Sequence, residues 1–201
     1  MKITEISQLK ALYNQPGERA VKKQLAKLDI HCINFIAKSP FLVLSTVDQQ
    51  GKVDASPRGG SPGFVHVLDE HQIVIPDAKG NNRLDSLQNI VETGQVGMLF
   101  LIPGVDETLR INGSAYMTTD PQLLDKFSIE KNPPRTCIVI TVEEAFLHCA
   151  KALMRSKLWL PETKIDRTEL PSMGQMLKDQ IGDKNEPESQ EDMVLRYQKD
   201  L

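Results

Sequence analysis

Three cysteines, Cys32, Cys137 and Cys149, stand far apart in 201 residues with no Cys-x-x-Cys pair. Neither a disulfide framework nor a thiolate metal knuckle is written into such a pattern, and the three read as reduced, mostly buried thiols. The four histidines, His31, His66, His71 and His148, form no ligand spacing, which sets a histidine-built metal site aside. No serine lies in a Gly-x-Ser-x-Gly elbow, and no cysteine has an evident histidine and acid set around it, so a covalent hydrolase is unsupported. Gly-x-Gly-x-x-Gly and Walker loops are missing too, which removes the usual cradles for dinucleotides and nucleoside triphosphates.

Charge and hydropathy exclude more. The formal net charge of -3 is spread along the chain, with no basic face to neutralise a run of phosphates, so nucleic acid is not an expected partner. The longest apolar run, Val96 to Ile102, stops at Pro103 and is far too short to cross a bilayer. Residues 1–20, MKITEISQLKALYNQPGERA, hold no apolar core of signal-peptide length, so export is not indicated and the chain reads as cytoplasmic. With 40% hydrophobic and 25% charged residues the chain suits one sizeable core, and neither repeats nor low-complexity tracts interrupt it.

The apolar periodicity of residues 4–38 is helical, broken once by NQPGE, and Ser39-Pro40 ends it. From Phe41 the pattern changes to short β-branched runs with hairpin-length gaps: FLVLSTV, KVDAS, FVHVL and QIVIP. A helix is expected over 83–93 with Gly94 ending it, then the strands QVGMLFLI, TLRINGSAYMTT and TCIVITVEEAFLH. Asp120-Pro121 opens a short helix before the last strand. HCAKALMRSKLW is helical again, and a polar connector leads to two amphipathic helices over 172–181 and 189–199. These elements predict an α+β fold: a six-stranded antiparallel split β-barrel with N-terminal, rim and C-terminal helices. Residues 1–40 form the N-terminal helices, 41–160 the barrel core, and 161–201 the connector and last helices, all within one structural domain.

Three segments carry candidate chemistry. In DAKGNNRLDSLQN, Lys79 and Arg83 stand at an expected helix start, where a cation opposes the helix dipole unless an anion lies between them. Asn81 or Asn82 serves equally well as an N-cap, so a solvated cap and a phosphate site both fit. SPRGGSPG reads either as a stiff hairpin loop or as a place where Gly59 and Gly60 let a flat ligand approach and Arg58 forks onto an acceptor. In HCAKALMRSKLW, Lys151, Arg155 and Ser156 sit with His148 and Trp159 at helical spacing, either a solvated face or a basic and aromatic one.

Taken together, FLVLSTVDQQGKVDASPRGG, IVIPDAKGNNRLDSLQNI, GMLFLIPG, LRINGSAYMTTD and HCAKALMRSKLW resemble the pyridoxamine 5'-phosphate oxidase-like, FMN-binding split-barrel proteins over roughly 41–159. The resemblance implies a homodimer with FMN at the subunit interface. It implies Arg58 at the flavin with Ser56, Pro57 and Gly59 lining it, and Ile75, Pro76 and Asp77 against the ring or ribityl chain. The phosphate then falls to Asn82 and Arg83, where the oxidase has an Arg-Lys pair, with Lys79 as a further cation. Lys151, Arg155, Ser156 and Trp159 resemble the set that reaches the flavin of the neighbouring subunit. Vitamin B6 oxidases carry an arginine-rich stretch after a tryptophan near their ends, whereas this chain reads EDMVLRYQKDL there. The resemblance therefore implies FMN without fixing the B6 substrate. The expected activity is hydride transfer from a small unidentified substrate or NAD(P)H to FMN; the alternative is a non-catalytic flavin, deazaflavin or haem binding protein.

Overall fold

A computed structural model describes residues 2–200. Three short helices lead in: α1 (Ile6–Lys10), α2 (Glu18–Lys22) and α3 (Ile30–Lys38). The helical pattern breaks twice rather than once. Leu25 leaves the second helix to exchange backbone hydrogen bonds with Ala145, and Asp29 then caps α3 by accepting from the Cys32 amide at 2.8 Å. That cap, together with nearby His31, holds the Asp29 carboxyl below its usual range.

Seven strands follow: β1 (Phe41–Val47), β2 (Val53–Gly59), β3 (His66–Val67), β4 (Gln72–Pro76), β5 (Gln95–Leu101), β6 (Thr108–Thr118) and β7 (Cys137–His148). They form one antiparallel sheet in the order β2-β1-β5-β6-β7-β4-β3. The α+β antiparallel architecture is as expected, but in place of a six-stranded split barrel the described residues form seven strands in a sheet that does not close. The stretch FVHVL yields only the two-residue β3, so β2 and β3 remain edges with no ladder between them.

Packing explains the two kinds of strand. In β1 and β5, alternate residues are buried, and the register sets Leu42 opposite Phe100 and Leu44 opposite Met98 on the inner face. In β4 and the first part of β7 the buried run is continuous because both faces are covered. Ile73, Ile75, Ile138 and Ile140 join the main core, while Val74, Cys137 and Val139 pack with Phe127 under Leu123 and Leu124. Leu123 and Leu124 come from α5 (Pro121–Leu124), which Asp120 caps from one residue before the proline. Each such fully buried aliphatic or aromatic side chain contributes roughly 1.5–3 kcal/mol.

The helix α4 (Asp85–Thr93) lies across β1, β2, β5 and β6. Ile90 enters the core, Asn89 donates to the Thr46 hydroxyl at 2.9 Å, and Thr93 donates to the Val47 carbonyl at 2.9 Å. Gly94, at φ 67°, ends the helix as its position predicts. After β7 come α6 (Lys151–Ser156), α7 (Met173–Ile181) and α8 (Gln190–Gln198), the last two opened by Ser172 and Ser189 caps. No helix among the described residues is long and apolar enough to cross a membrane.

The β6–β7 ladder shifts register between Asn112 and Gly113, leaving Glu143 as the extra residue of a bulge. A Cβ on Gly113 would lie 1.9 Å from the Thr141 carbonyl oxygen. Gly113→Ala is therefore expected to destabilise the chain by about 3 kcal/mol or more, read as a lowered urea midpoint.

Candidate functional site

The edge strand β2 presents its residues in alternation: Asp54, Ser56 and Arg58 face inward and are partly buried, while Val53, Ala55, Pro57 and Gly59 face out. The segment expected as a hairpin loop thus begins as strand, and Pro57 is tolerated because an edge strand has a free side. Asp54 is a hub. Ser56 donates to both its carboxylate oxygens at 3.0 Å, and the Ser86 hydroxyl, 2% exposed in the first turn of α4, donates to Oδ2 at 2.5 Å. Neither Asp54 nor Ser86 stood out in the sequence, although strand alternation places Asp54 on the face of Ser56 and Arg58.

Arg58 is near enough to Asp77, just past the end of β4, for its charge to act on that carboxyl. Its Nη1 donates to the carbonyl of Pro57 at 2.9 Å, but its Nε is shut away from solvent with no acceptor. Leaving such a donor unsatisfied costs about 1–3 kcal/mol, which a guanidinium drawn onto an acceptor-rich ligand would recover. Burial raises the Asp77 carboxyl above the ordinary aspartate value, and the positive charge of Arg58 offsets only part of that. The Cys137 thiol is pushed up as well, by burial first and by Asp77 second.

The loop between β4 and α4 does not use an asparagine as N-cap. Asn81 instead accepts from the Arg83 amide at 3.0 Å, and both Asn82 (φ 58°) and Leu84 (φ 61°) take left-handed backbone. This delays the helix from the expected Arg83 to Asp85 and makes Leu84 the N-cap, with no side-chain acceptor for the first amides. A left-handed leucine costs roughly 1–2 kcal/mol, and strain of this kind concentrates at binding sites. Among the described residues Arg83 pairs with Asp85, Nε to Oδ2 at 2.5 Å, and both side chains are exposed. Exposed pairs are weak enough to be exchanged for a better anion. Lys79, on the same loop, meets Asp200 at 2.5 Å.

The remaining expected residues divide. Pro76 is partly buried beside Asp77. Ile75 is completely buried in the main core, so its side chain is not available to a ligand. Gly59 and Gly60 answer to their own chain: a Cβ on Gly60 would lie 2.7 Å from Cβ of Phe64, and the Gly60 amide donates to the Pro40 carbonyl at 3.1 Å. Lys151, Arg155 and Ser156 are exposed on α6, where Arg155 and Ser156 donate to the carbonyls of Lys151 and Leu153 at 3.0 Å. Trp159 is partly buried, its indole N–H bonded to the Val105 carbonyl at 2.9 Å. This group leaves the far end of β7. Cys137 pairs with Pro76 at one end of that strand, and His148, preceding α6, lies at the other, roughly 35 Å away along extended backbone. One chain therefore gathers Ser56, Arg58, Asp77 and the 79–84 loop, and holds the α6 set apart from them. A cleft of about 290 Å³ elsewhere, lined by Ile33, Ala37, Gly63, Val65, His66, Val67 and Lys126, includes none of these residues.

Comparison with known proteins gives the relationship. A sequence profile described as pyridoxamine 5'-phosphate oxidase matches residues 28–149, more than half of the chain, and ends before α6. None of the curated proteins matches. Among solved structures, a single-substitution form of HupZ from Group A Streptococcus is 16% identical, covering 60% of this chain and 98% of its own, at a TM-score of 0.51. HupZ without that substitution is likewise 16% identical, covering 60% and 93%, at 0.50. An FMN-binding protein from Syntrophomonas wolfei is 17% identical, covering 58% and 81%, at 0.44. At these identities the two HupZ likenesses show a shared fold.

The partly buried Asp77 carboxyl makes a pH-dependent prediction. Because its folded pKa is raised, the folded chain holds the Asp77 proton more tightly than the unfolded chain, so stability falls as pH rises from the ordinary value of 3.8 through the folded one. Asp77→Asn removes that loss. The variant is expected to be more stable than the wild type at pH 7, with the difference gone below pH 3.8, as followed by urea denaturation across pH.

Proposed function

Because the chain belongs to the pyridoxamine 5'-phosphate oxidase family, we propose that it is an FMN-dependent oxidoreductase that takes a hydride from a small substrate or from NAD(P)H. The observation that carries the reading is the start of α4. Its first amides have no side-chain cap, its N-cap Leu84 is held in a strained left-handed turn, and Arg83 and Lys79 flank it. Open amides at a helix N-terminus with cations beside them suit a terminal phosphate.

The fit extends along β2. Arg58, with a buried N–H lacking an acceptor, is placed to turn onto the acceptor-rich edge of a flavin, and Ser56 lines the approach from the same inward face, while Pro57 and Gly59 lie on the other face of the strand. Asp54 keeps that edge fixed against α4 through Ser56 and Ser86. Asp77 holds its proton more firmly than an ordinary aspartate and lies beside Arg58, which makes it the group best placed to keep or release a proton there. When bound, FMN supplies the hydride-accepting chemistry, so no nucleophile is required of the protein.

The separation along β7 supports a homodimer. Lys151, Arg155, Ser156 and Trp159 join Arg58 and Arg83 in one site if α6 is donated by a second copy. Met154, Leu158 and Leu160, exposed apolar residues on and after α6, are the kind of surface a subunit contact covers.

Purified protein mixed with FMN and desalted should be yellow, and NAD(P)H should bleach it until air restores the colour. Arg83→Ala should weaken FMN binding by about 1.5–3 kcal/mol, the range for a hydrogen bond to a charged group, while leaving unliganded stability nearly unchanged. Both effects are read by flavin fluorescence titration and thermal melting. Protein that stays colourless and gains no thermal stability from FMN removes the reading.

A further inference from the structure

Lys79 is already held by an anion from its own chain. Just after α8, Asp200 lies against the candidate phosphate loop, its Oδ1 2.5 Å from Lys79 Nζ. Two further bonds fix the same segment by its main chain: Asn132 Nδ2 donates to the Asp200 carbonyl at 3.0 Å, and Lys131 Nζ to the Gln198 carbonyl at 3.2 Å. Lys131 and Asn132 precede β7, the strand that begins beside Pro76 and Asp77. The Asp200 carboxylate is thus set at the loop by backbone anchors that do not need its charge.

This arrangement has the form of a competition. A carboxylate and a phosphate present the same chemistry to an ammonium, and Lys79 cannot serve both at full strength. The pair is exposed, 61% for Lys79 and 40% for Asp200, so it is weak and open to exchange. Arg83 is engaged in a similar way by Asp85. Lys79 and Arg83 are thus each matched by a carboxylate of the same chain, one of them delivered across 121 residues of sequence.

We propose that Asp200 is an internal competitor for the phosphate of the bound ligand: its carboxylate occupies Lys79 in the free protein and gives that cation up when a phosphomonoester arrives. The proposal rests on the phosphate site described above, and it makes the segment after α8 a determinant of how tightly that site holds a phosphorylated ligand. Through Lys79, Asp200 tunes selectivity for a phosphorylated flavin over the same ring system without phosphate.

The test compares FMN with riboflavin, which lacks the phosphate, by fluorescence titration at low salt. Asp200→Asn keeps the main-chain anchors and removes only the charge. It should tighten FMN about two- to fivefold, the measure of an exposed ion pair, and leave riboflavin unchanged. In a Lys79→Met background the gain should vanish. Unchanged or weaker FMN binding in Asp200→Asn, an equal shift for riboflavin, or a gain that survives Lys79→Met would each overturn the proposal. If the wild type binds neither flavin, the cofactor reading fails, and inorganic phosphate alone then decides the role of Asp200. Greater thermal stabilisation of Asp200→Asn than of wild type by phosphate supports it, and equal stabilisation overturns it.

Discussion

One carboxylate ties the candidate site to the fold. Asp54 accepts from Ser56 on its own strand and from Ser86 on α4, so the sheet edge and the start of the helix are joined through a single side chain. Ser86 is almost wholly buried, and its hydroxyl would be costly to leave unpaired, which makes the join specific as well as stabilising. The helix start can face Arg58 only while β2 and α4 keep this spacing, and Asp54 also adds negative charge near Arg83.

Around that anchor the fold keeps several groups in states that isolated residues avoid. Leu84 is left-handed, the Asp77 carboxyl is partly desolvated, and a buried N–H of Arg58 has no acceptor. Each is unfavourable by itself, and each is held by well-packed neighbours: Ile75 in the core before Asp77, the β1 ladder beside Arg58, and Ile90 anchoring α4. Strain backed by a rigid scaffold is what a binding site needs, because it is relieved when a ligand of the right shape and charge arrives. The unsatisfied N–H of Arg58 and the uncapped amides of α4 suit the anionic, acceptor-rich ligand proposed above.

Much of the fold was legible in the residues because local signals agreed. The alternation in FLVLSTV and QVGMLFLI marked β1 and β5, Gly94 marked the end of α4, and Asp120-Pro121 marked the start of α5. The failures came where distant residues decide. Leu25 leaves its helical pattern to bond with Ala145, far away in sequence, and no window around Leu25 contains that information. Whether the sheet closes depends on the approach of β2 and β3, which composition does not encode. Within the site, the resemblance points to Arg58, Asp77 and Arg83, whereas the Asp54–Ser86 link spans 32 residues and no local pattern marks it. Asn81 and Asn82 were credible caps on propensity alone. The left-handed pair at Asn82 and Leu84 displaced both, because the loop must turn sharply before α4 can settle on the sheet.

The position of Pro57 reaches beyond ligand binding. A strand at the rim of a sheet offers its free amides and carbonyls to any passing extended peptide, and continuous edge-to-edge pairing is the usual hazard. Pro57 removes one donor from the middle of β2, and the inward-facing charges of Asp54 and Arg58 interrupt the apolar stripe that an added strand would need. This rim is thus protected against being templated into a longer ladder, and it stays exposed without becoming a seed for aggregation.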